Sequence, residues 1–336
     1  MSNPALIISL DFELFWGVRD VLPLRAYREN LLGVRQAIPA LLRLFAERDI
    51  HATWATVGFL FCGTKDELRA TLPRRLPAYA DTSLSPYDLT EVGQDEASDP
   101  FHFAPSLVRA IAETRGQELA THTFSHFYCL EAGQTADDFD ADLESATVAA
   151  KRLGVELRSL VFPRNQYNPS YGGVMARRGI RAFRSTVGGW PYTPGTAIES
   201  RAKRAVRLAD AYLPIAGRRS FPLPSPDPLG LTDVPASAFL RPFSPTLRPM
   251  DGLKVRRILG AMSRAAVRGE MFHLWWHPHN FGVNLRENLA MLITVLDHFR
   301  LLSDRYGMRS LSMQEVAALA SARPSPHSQP AEVARG

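Results

Sequence analysis

Four short groups of polar residues carry the side chains that hydrolytic chemistry needs. They are Asp11 with Glu13, His122 with His126, the run Arg164, Asn165 and Gln166, and His277 with His279 beside Trp276. His122 and His126 are four residues apart, a spacing that puts both imidazoles on one side of a helical turn, as two metal ligands require. No Glu directly follows His122, so this is not the HExxH pattern of metalloproteases. A carboxylate from elsewhere has to complete the site, and Asp11 or Glu13 can do so. Two His and one carboxylate, with positions left open, form a hydrolytic metal arrangement. Residues i and i+2 at a strand end point the same way, so one of Asp11 and Glu13 can bind the ion while the other takes a proton from water. Arg164 is a permanent cation able to pair with one of those carboxylates and keep it ionised. His277 is suited to general-acid work near neutral pH. Taken singly, each group has an ordinary explanation: a solvated strand end, a chance His pair, a surface Arg, a satisfied core imidazole.

The elements around these groups weigh against chance. Residues 5–10 form a short apolar run that reads as a buried strand, residues 27–48 an amphipathic helix with Pro39 as a kink, and residues 51–57 a second strand. This βαβ opening predicts a parallel sheet. The alternation continues with strands predicted at 118–121, 159–162, 182–185, 271–275 and 310–313. Helices are predicted at 106–115, 137–153, 171–178, 253–268 and 285–302. About seven βα units result. Each polar group directly follows a predicted strand, and in parallel α/β folds the C-terminal strand ends gather on one face. The four groups therefore converge in space, which is the main argument for an enzyme. Residues 63–103 and 191–249, the latter with 11 prolines, read as irregular insertions, with a short strand possible at 236–240. Residues 1–320 then form one domain, and 321–336 a disordered tail.

The 336 residues include 46% hydrophobic and 22% charged side chains, enough for a large core. Two cysteines, Cys62 and Cys129, exclude a disulfide scaffold and a four-cysteine zinc site. No run approaches the roughly 18 consecutive apolar residues of a membrane span. The N-terminus lacks the basic start of a signal peptide, so the expected location is the cytoplasm. The net charge of +5 is unevenly spread: residues 1–157 hold 14 Lys and Arg against 23 Asp and Glu, residues 158–268 hold 19 against 5, and residues 269–336 hold 6 of each. A basic middle beside an acidic first half suits an anionic small-molecule partner. Nucleic acid is not expected, because no recognition motif is present and prolines interrupt the basic region.

Together the polar groups resemble the polysaccharide deacetylase family, the NodB-homology or family 4 carbohydrate esterases. The acidic motif is matched by Ser9-Leu10-Asp11-Phe12-Glu13 and the His-Ser/Thr-x-x-His motif by His122 to His126. The Arg motif is matched by Phe162-Pro163-Arg164-Asn165-Gln166-Tyr167, and the late His motif by Leu274-Trp275-Trp276-His277-Pro278. The resemblance runs from Ile7 to about Met313, outside the two insertions. It implies a distorted (β/α)7 barrel and a metal-dependent hydrolase of acylated amino sugars, with zinc or a similar divalent ion. By the same resemblance Asp11 is the base and Glu13, His122 and His126 are the metal ligands. Arg164 tethers Asp11, His277 protonates the leaving amine, and Asn165, Gln166, Trp276, His279 and Trp190 lie at the substrate. The family's acidic pair is adjacent, whereas Phe12 separates Asp11 from Glu13 here, so which acid binds the metal stays open. Trp190 is the nearest candidate for a fourth motif, and His279 competes with His277 as the acid. A nucleotide- or lipid-linked sugar fits the basic stretch. The alternatives are hydrolysis of a formamide or cyclic amide, a glycosidase on the same barrel, and a non-catalytic sugar-binding protein.

Overall fold

Short buried strands alternate with longer helices along the whole of the computed structural model, which describes residues 4–186, 201–213, 217 and 219–323. The strands are β1 (Ala5–Phe12), β2 (Ala52–Thr56), β3 (Gln117–Thr121), β4 (Ser159–Val161), β5 (Ala182–Arg184), β6 (Thr232–Asp233), β7 (Ala238–Phe239), β8 (Met271–Trp276) and β9 (Arg309–Leu311). The helices are α1 (Leu24–Glu47), α2 (Lys65–Thr71), α3 (Pro105–Glu113), α4 (Ala136–Lys151), α5 (Gly172–Arg177), α6 (Arg201–Tyr212), α7 (Asp251–Arg268), α8 (Leu285–Tyr306) and α9 (Met313–Ser321). The strand order is β6-β5-β4-β3-β2-β1-β8-β7, and every pairing is parallel.

The sheet closes on itself through residues 232–240. The first half of this segment bonds to β5 (Val234 N–H to Phe183 O, Ala236 N–H to Ser185 O), and the second half to β8 (Ser237 N–H to His273 O, Leu240 N–H to Trp275 O). β6 and β7 are thus two halves of one rung, and the ring is the seven-membered α/β barrel expected from the sequence. β9 lies off the ring and pairs with the first residues of β1, at Ala5, Leu6 and Ile7. α9 follows it under the barrel floor, where Met313 N–H donates to Thr53 Oγ1 and Gln314 N–H to Glu118 Oε2.

Strand alternation sorts the side chains. Leu6, Ile8, Leu10 and Phe12 of β1 face the helices and join the main core, as do Phe272, Leu274 and Trp276 of β8. The intervening residues point inward. Ala5, Ile7, Ala55, Val161, Ala182 and Met271 make a dry plug at the N-terminal end of the barrel. Above that plug the inward positions turn polar, with Ser9, Asp11, Arg184 and His273 all buried. This polar layer opens onto the C-terminal face, where the candidate site is built.

α1 buries Leu31, Val34, Ile38, Leu41, Leu42 and Phe45 as one stripe and runs through Pro39 without a break. Gly33 of α1 meets the turn after β8 at a contact that leaves no room for a side chain: a Cβ there would lie 1.9 Å from the carbonyl oxygen of Gly282. Within 63–103, α2 is followed by irregular chain whose acidic groups bond locally. Asp99 accepts from Gly93 and Phe101 N–H, Asp95 accepts from Ala97 and Ser98 N–H, and Glu96 pairs with Arg35. In the other expected insertion, α6 is a helix that the proline density concealed. Residues 191–200 and 324–336 lie outside the described residues, as does Trp190. No helix among the described residues is long and apolar enough to cross a membrane.

Candidate active site

Asp11 points into the barrel from the end of β1, and Glu13 follows one residue beyond it; both are buried. The partner of Asp11 is Arg184, at the end of β5. Its guanidinium donates from Nη1 to Asp11 Oδ1 and from Nη2 to Asp11 Oδ2, both at 2.7 Å. Arg184 is itself fixed by Ser9 Oγ at 2.9 Å, by Asn165 Oδ1 at 3.2 Å and by the face of Trp275, 4.2 Å from its carbon centre. His273 lies below and bonds through Nε2 to Ser9 Oγ at 2.8 Å and through Nδ1 to Val234 O at 3.1 Å. Burial pushes the Asp11 carboxyl up, but the Arg184 cation beside it, helped by His122 and His277, outweighs burial and holds it below the usual carboxylate range.

The histidine pair sits on the turn after β3. Thr123 and His126 adopt left-handed backbone (φ 62° and 60°), which costs about 1–3 kcal/mol each for such residues. Asp142 of α4 holds the turn. Its carboxylate accepts from Phe124 N–H at 2.6 Å, from Ser125 N–H at 3.1 Å and from Ser125 Oγ. Thr123 Oγ1 accepts from Phe127 N–H at 2.7 Å, and Gly58 N–H donates to Thr123 O at 2.9 Å. The result brings His122 Nε2 to 3.3 Å and His126 Nε2 to 3.2 Å from one oxygen, Glu13 Oε2. Burial lowers the proton affinity of His126. Glu13 is pushed up by burial, but His277, His122 and His126 around it hold it well below its ordinary value.

The turn after β8 supplies His277 and His279, whose rings stack 4.8 Å apart at 15°. His277 Nε2 lies 3.6 Å from Glu13 Oε1 and 3.9 Å from Asp11 Oδ2. Its side chain is 23% exposed, the most open of the group. His279 is buried and its proton affinity is pushed down to about 3 by burial, so its ring is neutral at pH 7. Asn30 Nδ2 donates to His279 O at 3.1 Å, tying this turn to α1.

The donor set fits a divalent metal. Glu13, His122 and His126 each present one ligand atom, all within 4.8 Å of one another and all buried. Bonds of about 2.1 Å in a tetrahedral shell place ligand atoms about 3.4 Å apart, close to the 3.2 and 3.3 Å found here. His122 Nδ1 is 2.8 Å from Val161 O, which can only accept, so Nδ1 carries a proton. In the neutral ring, Nε2 then aims a lone pair at the lone pairs of Glu13 Oε2. A shared proton or a metal ion between the two atoms relieves that repulsion. Glu13, His277 and His279 form a second set within the same reach, which shares Glu13 and is more open.

Three expectations need correction. Arg164 does not reach Asp11: it pairs with Asp20 and lies over the ring of Tyr128, 4.7 Å from its centroid. Arg184, from the next strand, holds Asp11 instead. Gln166 is buried and spends its amide on structure, donating to Glu131 Oε1 and accepting from Leu130 N–H. Trp276 is on the outward parity of β8 and packs in the helix layer against Phe281 and Phe45; the inward tryptophan is Trp275. Asn165 accepts from Arg184, and His279 stacks on His277. The one signal for Arg184 was a charge inside the predicted strand 182–185, at the same end as the other groups.

No family model matches the chain, and no curated protein matches it. Solved structures do. A Mycobacterium smegmatis protein assigned to the polysaccharide deacetylases superposes with a TM-score of 0.61 at 14% identity, covering 98% of this chain and 95% of that one. A Pseudomonas aeruginosa protein assigned likewise gives 0.55 at 11% identity, covering 94% and 90%. The α-amylase AmyC of Thermotoga maritima gives 0.54 at 9% identity, covering 97% and 76%. The chain thus has the barrel fold of these polysaccharide deacetylases, a fold shared with AmyC.

Proposed function

We propose that this protein is a metal-dependent hydrolase that removes an N-acyl group, an acetyl group foremost, from an amino sugar. The observation that carries this reading is the buried triangle of Glu13, His122 and His126 beside an Asp11 clamped by Arg184. Glu13, His122 and His126 would hold the ion, and their nitrogen and oxygen donors favour zinc. When bound, such an ion supplies Lewis-acid polarisation of the acyl carbonyl. Asp11, kept ionised by Arg184, accepts the proton of the attacking water. Arg184 also fixes the plane of that carboxylate, so the base needs no reorientation during the reaction. His277, at the open side of the site, delivers a proton to the departing nitrogen, and His279 stacks behind it. Asn165 and Trp275 brace Arg184.

A glycosidase on this barrel would need one carboxyl protonated at rest. Both Asp11 and Glu13 are held below their ordinary range, which favours amide hydrolysis. The excess of Lys and Arg in residues 158–268 supports a substrate that carries an anionic group, such as a nucleotide- or lipid-linked sugar. The test is metal analysis of the purified protein joined to a screen of acetylated and formylated amino sugars, neutral and anionic, for released acid. Stoichiometric zinc, acetate release and loss of activity on chelation are expected. Full activity after chelation overturns the reading, and equal rates on neutral and anionic sugars remove the anionic group from it.

A further inference from the structure

We infer that Gly17 is a positioning residue for Glu13, present to leave the space that its carboxylate occupies. The inference rests on the metal-site reading above. The chain makes a 3-10 turn over Leu14–Gly17 directly after Glu13, which folds position 17 back over position 13. A Cβ built on Gly17 would lie 2.0 Å from Glu13 Cδ and 2.3 Å from each of its carboxylate oxygens. No non-bonded contact tolerates such approaches, so a side chain at 17 must displace the carboxylate, the mobile end of Glu13.

Backbone conformation does not explain this glycine. Gly17 is not among the described glycines with positive φ, so an L-residue can take its backbone angles. Space is the constraint, and the three atoms nearest the position of a Cβ all belong to Glu13. That side chain is held from the other directions as well. Glu13 Oε2 faces His122 and His126, and Oε1 faces His277. A displacement of the size the clash demands takes Oε2 out of the donor triangle, because 3.2 and 3.3 Å edges leave no slack for a metal of fixed bond length. Glu13-x-x-x-Gly17 is therefore one functional unit, in which the last residue shapes the seat of the first.

The test uses the full-length chain and zinc itself, with affinity measured by competition against a chromophoric chelator and folding by thermal melting of the metal-free protein. Gly17→Ala should weaken zinc binding roughly 10- to 100-fold, the range for loss of a supporting residue, with the metal-free melt unchanged. Glu13→Asp, whose carboxylate is withdrawn by one methylene, weakens binding by itself, and adding Gly17→Ala to it should cost nothing more. If Gly17→Ala does not fold, Glu13→Ala placed on the same chain should restore folding, because it removes the three atoms nearest the added methyl group. Wild-type zinc affinity in Gly17→Ala overturns the inference and leaves the metal site standing. An additive loss on the Asp background, or a folding defect that Glu13→Ala does not suppress, overturns it too. A wild-type chain with no affinity for zinc overturns the metal reading and this inference together.

Discussion

Asp11 and Arg184 form a buried, two-bonded ion pair, and their substitutions should separate chemistry from metal binding. Asp11→Asn keeps the shape and removes the proposed base. Turnover should fall about 10²- to 10⁴-fold, while zinc content, measured on the same sample, stays as in the wild type. Arg184→Met leaves the Asp11 carboxylate buried and unpaired, a defect worth about 3–5 kcal/mol, so urea unfolding should report a loss of stability alongside the loss of turnover. Arg164→Met should cost less turnover, since Arg164 pairs with Asp20 and does not reach Asp11. The contrast shows what was legible at this scale. Asp11, Glu13, His122, His126 and His277 could be found because each follows a strand of obvious pattern. The identity of the clamping arginine could not, because two arginines followed or ended neighbouring strands and spacing carries no information on inward or outward parity. The same ambiguity favoured Trp276 over Trp275. Parity depends on which face a strand turns to the barrel, and a strand buried on both faces has no polar alternation to reveal it.

The turn after β3 is held by a residue that the His-x-x-x-His spacing does not reveal. Asp142, on α4, bonds two backbone N–H groups and the hydroxyl of Ser125, and those contacts fix two left-handed residues next to the histidines. Asp142→Ala strands Phe124 N–H and Ser125 N–H in a buried place at about 1–3 kcal/mol each. The expected outcome is a destabilised chain by urea titration and weaker zinc binding, although Asp142 touches no ligand atom. Strands and helices with clear periodicity were legible in the sequence to within a few residues, from β1 through α8. α6 was not, because the prolines around it dominated the reading of residues 191–249. α9 was not either, since it lies beyond the last predicted strand and its short apolar face is defined only by the barrel floor it covers.

At the scale of the molecule, polar groups are sealed above a dry plug, and that makes stability depend on pH. His273 is fully buried, and burial with the nearby Arg184 cation pushes its proton affinity down to about 3 from 6.5. Its folded-state value is depressed, so the unfolded chain binds the proton more tightly. Its contribution is full above about pH 6.5 and is lost as pH falls toward 3. Asp142 acts in the opposite sense. Burial raises it to about 6 from 3.8, so its contribution is present below 3.8 and lost as pH rises through 6. Unfolding free energies measured from pH 7 to pH 4 should therefore fall less steeply in His273→Asn than in the wild type, even though that variant starts lower. A steeper fall in the variant would contradict the neutral, buried assignment of His273.

The placement of β9 has a consequence for how the chain is made. β1 leaves the ribosome before any of its neighbours, which are residues 53–56, 271–276 and 309–311. Loop closure over such separations is costly until the partners exist. The strand that carries Asp11 and presents Glu13 must therefore wait, incompletely paired, until almost the whole barrel has been synthesised. Synthesis that stops short of residue 309 leaves β1 paired to β8 but open on its other edge at Ala5–Ile7, beneath Asp11 and Glu13. The seating of Asp11 and Glu13 is in this way tied to β9, a strand made some three hundred residues after the one that carries them.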